Sequence, residues 1–144
     1  MESLINKNIL LGVTGGIAAY KSAEIVRGLK KAGSSVRVVM TQSAQEFITP
    51  LTLQALSGNP VSTDLLDAEA EAAMGHIELA RWADAILIAP ATANTIARLS
   101  SGRADDLLSS ITLAFDGPIG LAPAMNQAMW KDVRTQSNIK NLEN

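Results

Sequence analysis

The segment from Lys7 to Met40 constrains the fold more than any other. Ile9-Leu10-Leu11-Gly12-Val13 is a short apolar run that leads into Thr14-Gly15-Gly16. Such a run, ended by glycines, is the pattern of a strand buried on both faces of a parallel sheet. From Ile17 the period changes. Ala18, Ala19, Ser22, Ile25, Val26 and Leu29 recur at helical spacing, Lys21, Glu24, Lys30 and Lys31 supply a polar face, and Gly33 is a stop. Val36-Arg37-Val38-Val39-Met40 then reads as a second strand. Strand, helix and strand make a βαβ unit, which requires a right-handed crossover and parallel pairing.

The alternation continues downstream. Ser43-Ala44-Gln45-Glu46 has the capping-box form, with Ser43 at the N-cap and Glu46 at N3. Pro50 interrupts or restarts that helix, and Ser57-Gly58-Asn59-Pro60 ends it. Val61 to Met74 is acidic and Ala-rich and reads as an exposed loop or short helix. His76 to Trp82 forms a short helix, Ala85 to Ala89 a third strand, and Pro118 to Ala122 a fourth strand weakened by its glycine. Ala93 to Ser100 and Asp105 to Ala114 are helices separated by Gly102. Gln127 to Lys140 is helical with a break near Thr135. The expected fold is α/β: a doubly wound parallel sheet in three α/β/α layers, Rossmann-like in outline, forming one domain over residues 1–144. Sheets of this kind bind ligands at the carboxyl ends of their strands.

Composition narrows the function. Hydrophobic residues make up 47% and charged residues 18%, enough apolar material for a core and too little charge for disorder. Twelve Lys and Arg against fourteen Asp and Glu give a net charge of −2, so no nucleic-acid partner is expected. Cysteine is absent and histidine occurs once, as His76, so no metal site is expected. The longest apolar stretch, Ala85 to Ala91, falls far short of the ~20 residues that span a bilayer. No membrane partner and a cytoplasmic location are expected.

The residues just past each strand carry the functional argument. Gly15 and Gly16 allow a phosphate to approach backbone N–H groups, although the run is neither GxGxxG nor a P-loop, and Lys21 stands too far along for the P-loop lysine role. A tight turn explains the glycines about equally well. Thr41 and Ser43 stand where a dinucleotide site would place an acid, which favours a mononucleotide; a capping role also accounts for Ser43. Pro90-Ala91-Thr92-Ala93-Asn94-Thr95 offers donors and acceptors at a helix start, of which capping explains only Thr92. Asn126, in Ala122-Pro123-Ala124-Met125-Asn126, is either a ligand contact or a cap. His76 suits proton transfer near neutral pH, though a lone histidine is more often structural. Asp105-Asp106 reads as N-terminal helix charge.

Taken together, Thr14-Gly15-Gly16-Ile17-Ala18-Ala19-Tyr20-Lys21, Gly75-His76-Ile77, Pro90-Ala91-Thr92-Ala93-Asn94-Thr95 and Pro123-Ala124-Met125-Asn126-x-x-Met129-Trp130 resemble the motifs of the flavin-containing cysteine decarboxylases, and within them the phosphopantothenoylcysteine decarboxylases. The resemblance runs from Lys7 to the end of the chain. It implies a flavodoxin-like fold and non-covalent FMN. By position, Gly15, Gly16, Ile17, Thr41, Ser43, Thr92, Ala93, Asn94, Thr95 and Ala124 match the family's FMN contacts, and Phe47 is placed by the flavin ring. His76 matches the active-site histidine, Asn126 the residue that binds the substrate carboxylate, and Met129 the same substrate motif.

The implied reaction converts 4′-phosphopantothenoylcysteine to 4′-phosphopantetheine in coenzyme A biosynthesis. FMN oxidises the cysteinyl thiol side, CO2 leaves to give an enethiol, and the reduced flavin returns its electrons while a flap cysteine supplies a proton. The resemblance also implies homotrimers or dodecamers built of trimers, with FMN at the interface and His76 serving a flavin held mainly by another subunit. A fused or separate phosphopantothenate–cysteine ligase is the expected partner. The flap with its Ala-Cys-Gly motif is expected beyond Asn144, so the oxidative half-reaction is the part this chain supports best. Alternative readings are a peptidyl-cysteine decarboxylase and a regulatory FMN-binding protein without turnover.

Overall fold

A computed structural model describes residues 4–65 and 75–143 of the chain. Four parallel strands form its sheet in the order β2-β1-β3-β4, with β1 at Asn8–Val13, β2 at Ser35–Met40, β3 at Ala85–Ala91 and β4 at Ile119–Pro123. The register puts Leu10 opposite Arg37 and Ile86, and Leu11 opposite Val38 and Leu87. Side chains alternate across a strand. Leu10, Val39, Ile86 and Ile88 therefore face one side, and Leu11, Val13, Val36 and Val38 the other.

Each face has its own helical cover. Helices α1 (Ser22–Lys31) and α2 (Pro50–Ser57) pack together and bring Val26 and Leu53 onto the second face. Helices α3 (His76–Trp82), α4 (Ala93–Ser100) and α5 (Leu107–Ala114) bring Leu79, Ile96, Leu108 and Ile111 onto the first. Helices α6 (Gln127–Lys131) and α7 (Val133–Glu143) complete the chain, and α7 lies against α4. Leu10, Leu53, Ile86, Ile96 and Ile111 are fully buried, worth ~1.5–3 kcal/mol each before the entropy of ordering is counted. The doubly wound fold expected from the alternation, flavodoxin-like as the resemblance implies, is the fold observed. Among the described residues no helix is long and apolar enough to cross a membrane.

Local departures from the sequence reading have physical causes. Ile17–Lys21 winds as a 3₁₀ turn before α1 begins. Ser43 does not cap a helix: Ser43–Glu46 is a 3₁₀ turn, and the Thr41 hydroxyl accepts from the Ala44 N–H at 3.3 Å instead. The α-helix restarts at Pro50, whose ring suits the first helical position. Thr49 caps it by accepting from the Thr52 N–H, and Gly58 closes it with φ of 77°. Helix α5 starts at Leu107 rather than Asp105, because Asp106 and Ser109 form a reciprocal capping box.

The last helix breaks at Asp132, not near Thr135. The Asp132 carboxylate accepts from the Arg134 backbone N–H at 2.8 Å and from its Nε and Nη2, both at 2.9 Å. Those bonds from the Arg134 side chain and backbone hold the Asp132 carboxyl down at about 2. Of the segment expected as a loop or short helix, residues 61–65 are irregular with a single bridge from Ser62 to Val39, and residues 66–74 lie outside the described residues.

Candidate functional site

The first crossover leaves β1 toward β2, and the next returns past β1 to β3. The carboxyl ends of β1 and β3 therefore diverge, which is where a doubly wound sheet opens a crevice. Thr14 ties the two ends together. It is fully buried, its hydroxyl donates to the Pro90 carbonyl at 2.5 Å, and its Oγ accepts from the Thr92 N–H at 3.1 Å. Ala89–Pro90, near the end of β3, is a cis peptide.

The β2 end closes from the other side. A Cβ on Gly15 would stand 2.6 Å from the Ser43 Cβ and 2.8 Å from its carbonyl carbon, inside van der Waals contact. Gly15 is thus required by the approach of the loop carrying Ser43. Gly16 is different. Its φ of 178° suits any residue, and a Cβ there would meet the Thr92 methyl at an ordinary 3.7 Å.

Two adjoining cavities result, sharing Ser43 and Asn94. One, of about 660 Å³, is lined by Gly15, Gly16, Ile17, Thr92, Ala93, Ala124, Asn126 and Met129, together with Ala18, Tyr20, Lys21 and Met125. The other, of about 600 Å³, is lined by Thr41, Thr95, Glu46, Asp64, Arg98, Asp105 and Asp106 among others. Each volume lies within the range of small-molecule and cofactor sites, ~300–1,000 Å³. The structure thereby brings together all the expected cofactor and substrate contacts except Phe47. Phe47 is about half exposed and lines neither cavity.

His76 also lines neither cavity. It is half-buried at the first position of α3, which ends at Trp82, three residues before β3 begins. Helix α3 packs against α5 on the first face of the sheet, so His76 lies on that flank.

Capping fixes the orientation of the polar side chains. Thr92 caps α4: its Oγ accepts from the Thr95 N–H at 3.2 Å while its hydroxyl donates to Thr95 Oγ1 at 3.1 Å. Asn126 caps α6, with Oδ1 accepting from the Met129 N–H at 2.9 Å. The acceptor of the amide is thus engaged, and Nδ2, with its two hydrogens, is the end left for a ligand. The two alternatives for Asn126, cap and contact, are compatible.

Sequence reading misses Thr14, Lys21 and Arg98. Thr14 carries no local signal, because both its partners lie 76 and 78 residues away. The helical period puts Lys21 on the helix exterior, whereas the 3₁₀ winding brings it to the cavity. Arg98 pairs with Asp105 at 3.2 Å and Asp106 at 3.1 Å. Asp106 thus has a second partner besides the helix start, and Asp105 pairs with Arg98 instead.

Residues 1–144 match the family model described as Flavoprotein. The coenzyme A biosynthesis bifunctional protein CoaBC of Vibrio vulnificus strain YJ016 is 60% identical over 142 residues, covering 99% of this chain and 35% of that protein. The CoaBC of Escherichia coli strain K12 is 58% identical over 140 residues, covering 97% of this chain and 34% of that protein. The chain thus spans about a third of the length of these curated relatives. Among solved structures, the FMN-dependent cysteine decarboxylase SpaF superposes with a TM-score of 0.89 at 34% identity, covering 97% of this chain and 81% of that one. A PPC decarboxylase variant complexed with pantothenoylaminoethenethiol gives 0.80 at 32% identity, covering 96% and 78%.

Proposed function

The chain belongs to the flavoprotein family, and from that membership we propose that it binds FMN and decarboxylates 4′-phosphopantothenoylcysteine in coenzyme A biosynthesis. The observation that carries the reading is the meeting of two motif sets on one crevice. Gly15, Ser43, Thr92 and Asn94 suit a flavin mononucleotide, and Asn126 and Met129 suit a small carboxylate-bearing substrate, along the same wall. The identity of about 60% to CoaBC proteins favours this substrate over a peptide.

The residues present fit FMN. The crevice is lined by small residues and neutral hydroxyls and amides: Thr41, Ser43, Thr92, Asn94 and Thr95 would hold its ribityl chain and polar ring edge. When bound, the flavin supplies the two-electron oxidation that makes loss of CO2 possible. The protein's share is binding and proton chemistry. Asn126 donates from Nδ2 to the substrate carboxylate, its direction set by the cap on α6. Met129 covers the apolar part of the substrate. His76 is the base that takes a proton from the cysteinyl end.

In this reading the protein works as a trimer, or as a dodecamer of trimers, in the cytoplasm. The placement of His76 outside both cavities supports a second copy completing the site. Ile17 and Tyr20, exposed at the cavity rim, offer apolar area for such a contact. A phosphopantothenate–cysteine ligase, fused or separate, supplies the substrate. The 144 residues contain no cysteine. Their own groups therefore carry the reaction to the enethiol, and a thiol proton donor for the reductive half comes from outside them.

The test is reconstitution. The purified chain takes up one equivalent of FMN per subunit, read from the visible flavin absorbance of the gel-filtered protein. A chain that stays colourless with excess FMN contradicts the reading.

A further inference from the structure

We propose that Arg37 is a positioning residue for His76: by stacking on Trp82 it fixes how helix α3 seats on the sheet, and with it where the imidazole stands. This assignment rests on the reading of His76 as the base and goes beyond it by naming what holds that base in place.

Three observations carry it. First, Arg37 is out of pattern for its strand. It is the third residue of β2, and alternation puts it with Val39 on the first face of the sheet, among the buried Leu10, Ile86 and Ile88. A half-buried cation in the middle of such a face is uncommon. Its Nε is buried and, among the described residues, has no hydrogen-bond partner. Its guanidinium carbon instead lies over the Trp82 ring, 5.4 Å from the centroid. That is within the ~6 Å reach of a cation–π contact.

Second, this stack completes a set of ties on the last turn of α3. Asn8 Nδ2 donates to the Trp82 carbonyl at 3.0 Å. The Asn8 N–H donates to the Asp84 carboxylate at 2.8 Å, and the Asp84 N–H returns a bond to the Asn8 carbonyl at 2.7 Å. Those bonds hold the backbone at the helix end against β1, and Arg37 holds the ring.

Third, the same helix presents His76 on its core-facing side. His76, Leu79, Ala80 and Ala83 stand at i, i+3, i+4 and i+7, and the last three are buried in the core of the first face. Ala80 and Ala83 set the depth of the helix but resist its rotation and sliding only weakly, and Gly75 supplies no side-chain cap at its start. An α-helix of seven residues is a lever about 10 Å long, so a shift at Trp82 is passed to His76. Misplacing a reacting group by about 1 Å can cost on the order of a hundredfold in rate.

The test uses the FMN-loaded full chain. Arg37→Met keeps the stem and removes the cation, and Arg37→Lys restores a cation. Three quantities are read: the single-turnover rate of CO2 release at saturating 4′-phosphopantothenoylcysteine, the substrate concentration giving half that rate, and the Kd of FMN. A fourth readout needs no turnover. The chain has one histidine, so its imidazole gives one Cε1–Hε1 NMR signal.

The expectation is that Arg37→Met lowers the saturated rate roughly ten- to a hundredfold, leaves the half-saturating concentration and the FMN Kd within about twofold, and displaces the histidine signal, and that Arg37→Lys recovers most of each change. A wild-type rate in Arg37→Met overturns the proposal. So does an unmoved histidine signal, or a joint loss of rate, substrate affinity and FMN affinity, which is the mark of a merely structural role. Should Arg37→Met fail to fold, Trp82→Phe, whose ring offers the cation a weaker face, takes its place; the same split with a smaller loss is expected, and a wild-type rate there overturns the proposal. His76→Asn is measured first. Release of CO2 by that variant at the wild-type rate overturns the base reading and this proposal with it, whereas an inactive His76→Asn beside a fully active Arg37→Met overturns this proposal alone.

Discussion

Thr14 shows how much one buried hydroxyl can hold. It satisfies the Pro90 carbonyl and the Thr92 N–H at once, and through them sets the position of the α4 start against β1. Thr14→Val keeps the shape and removes both bonds. It is expected to destabilise the chain by roughly 1–3 kcal/mol, the cost of leaving buried polar groups unsatisfied, and to lower Tm in a thermal melt. Asn126 permits a sharper separation of roles. Asn126→Asp keeps the oxygen that accepts from the Met129 N–H and replaces the donating Nδ2 by a second anionic oxygen. Its melting temperature is expected to match the wild type, while binding of 4′-phosphopantothenoylcysteine to the FMN-loaded chain falls at least about tenfold, because a carboxylate then faces a carboxylate. Equal affinity in a titration followed by flavin absorbance contradicts the carboxylate-binding role.

At the scale of elements, the strands and most helices are legible because their signals are local. Apolar runs such as Ile9–Val13 and Ala85–Ala89 permit only buried strands in an alternating pattern, and Ala93–Ser100 follows from Thr92 as cap. The turns are less so. Thr41 and Ser43 both carry hydroxyls suited to capping, and only the loop's approach to Gly15 decides that Thr41 takes the Ala44 N–H. The 3₁₀ winding at Ile17–Lys21 is also set by tertiary packing, since Ala19 is buried within the second core face. The motif positions on the crevice are therefore readable, whereas the lysine beside them is not.

The break at Asp132 yields a pH dependence. With its carboxyl at about 2 in the folded chain against an ordinary 3.8, Asp132 favours the folded state above the ordinary value, and that contribution is lost as pH falls through about 2. A carbon-detected NMR titration of the side-chain carboxyl is expected to show the depressed midpoint in the wild type and an ordinary one in Arg134→Gln.

For the whole molecule, the proposed oligomer would resolve a conflict between motif and geometry. The cofactor and substrate motifs converge on one crevice, while His76 sits on the α3–α5 flank of the same chain. The proposed symmetric assembly would reconcile them, because closed rings bring a different surface of one copy against the site of the next. FMN-loaded protein is therefore expected to sediment as a trimer or multiple of trimers. His76→Asn and Asn126→Asp, each inactive alone, are expected to complement one another in mixed oligomers, since each supplies what the other lacks. The most direct measurement of the central claim is single-turnover release of CO2 from 4′-phosphopantothenoylcysteine by the FMN-loaded chain under anaerobic conditions, with flavin bleaching followed in parallel. The predicted result is about one CO2 per flavin in the wild type, with bleaching, and neither in His76→Asn. A wild-type chain that binds substrate without releasing CO2, or a His76→Asn variant that releases it at the wild-type rate, contradicts the claim.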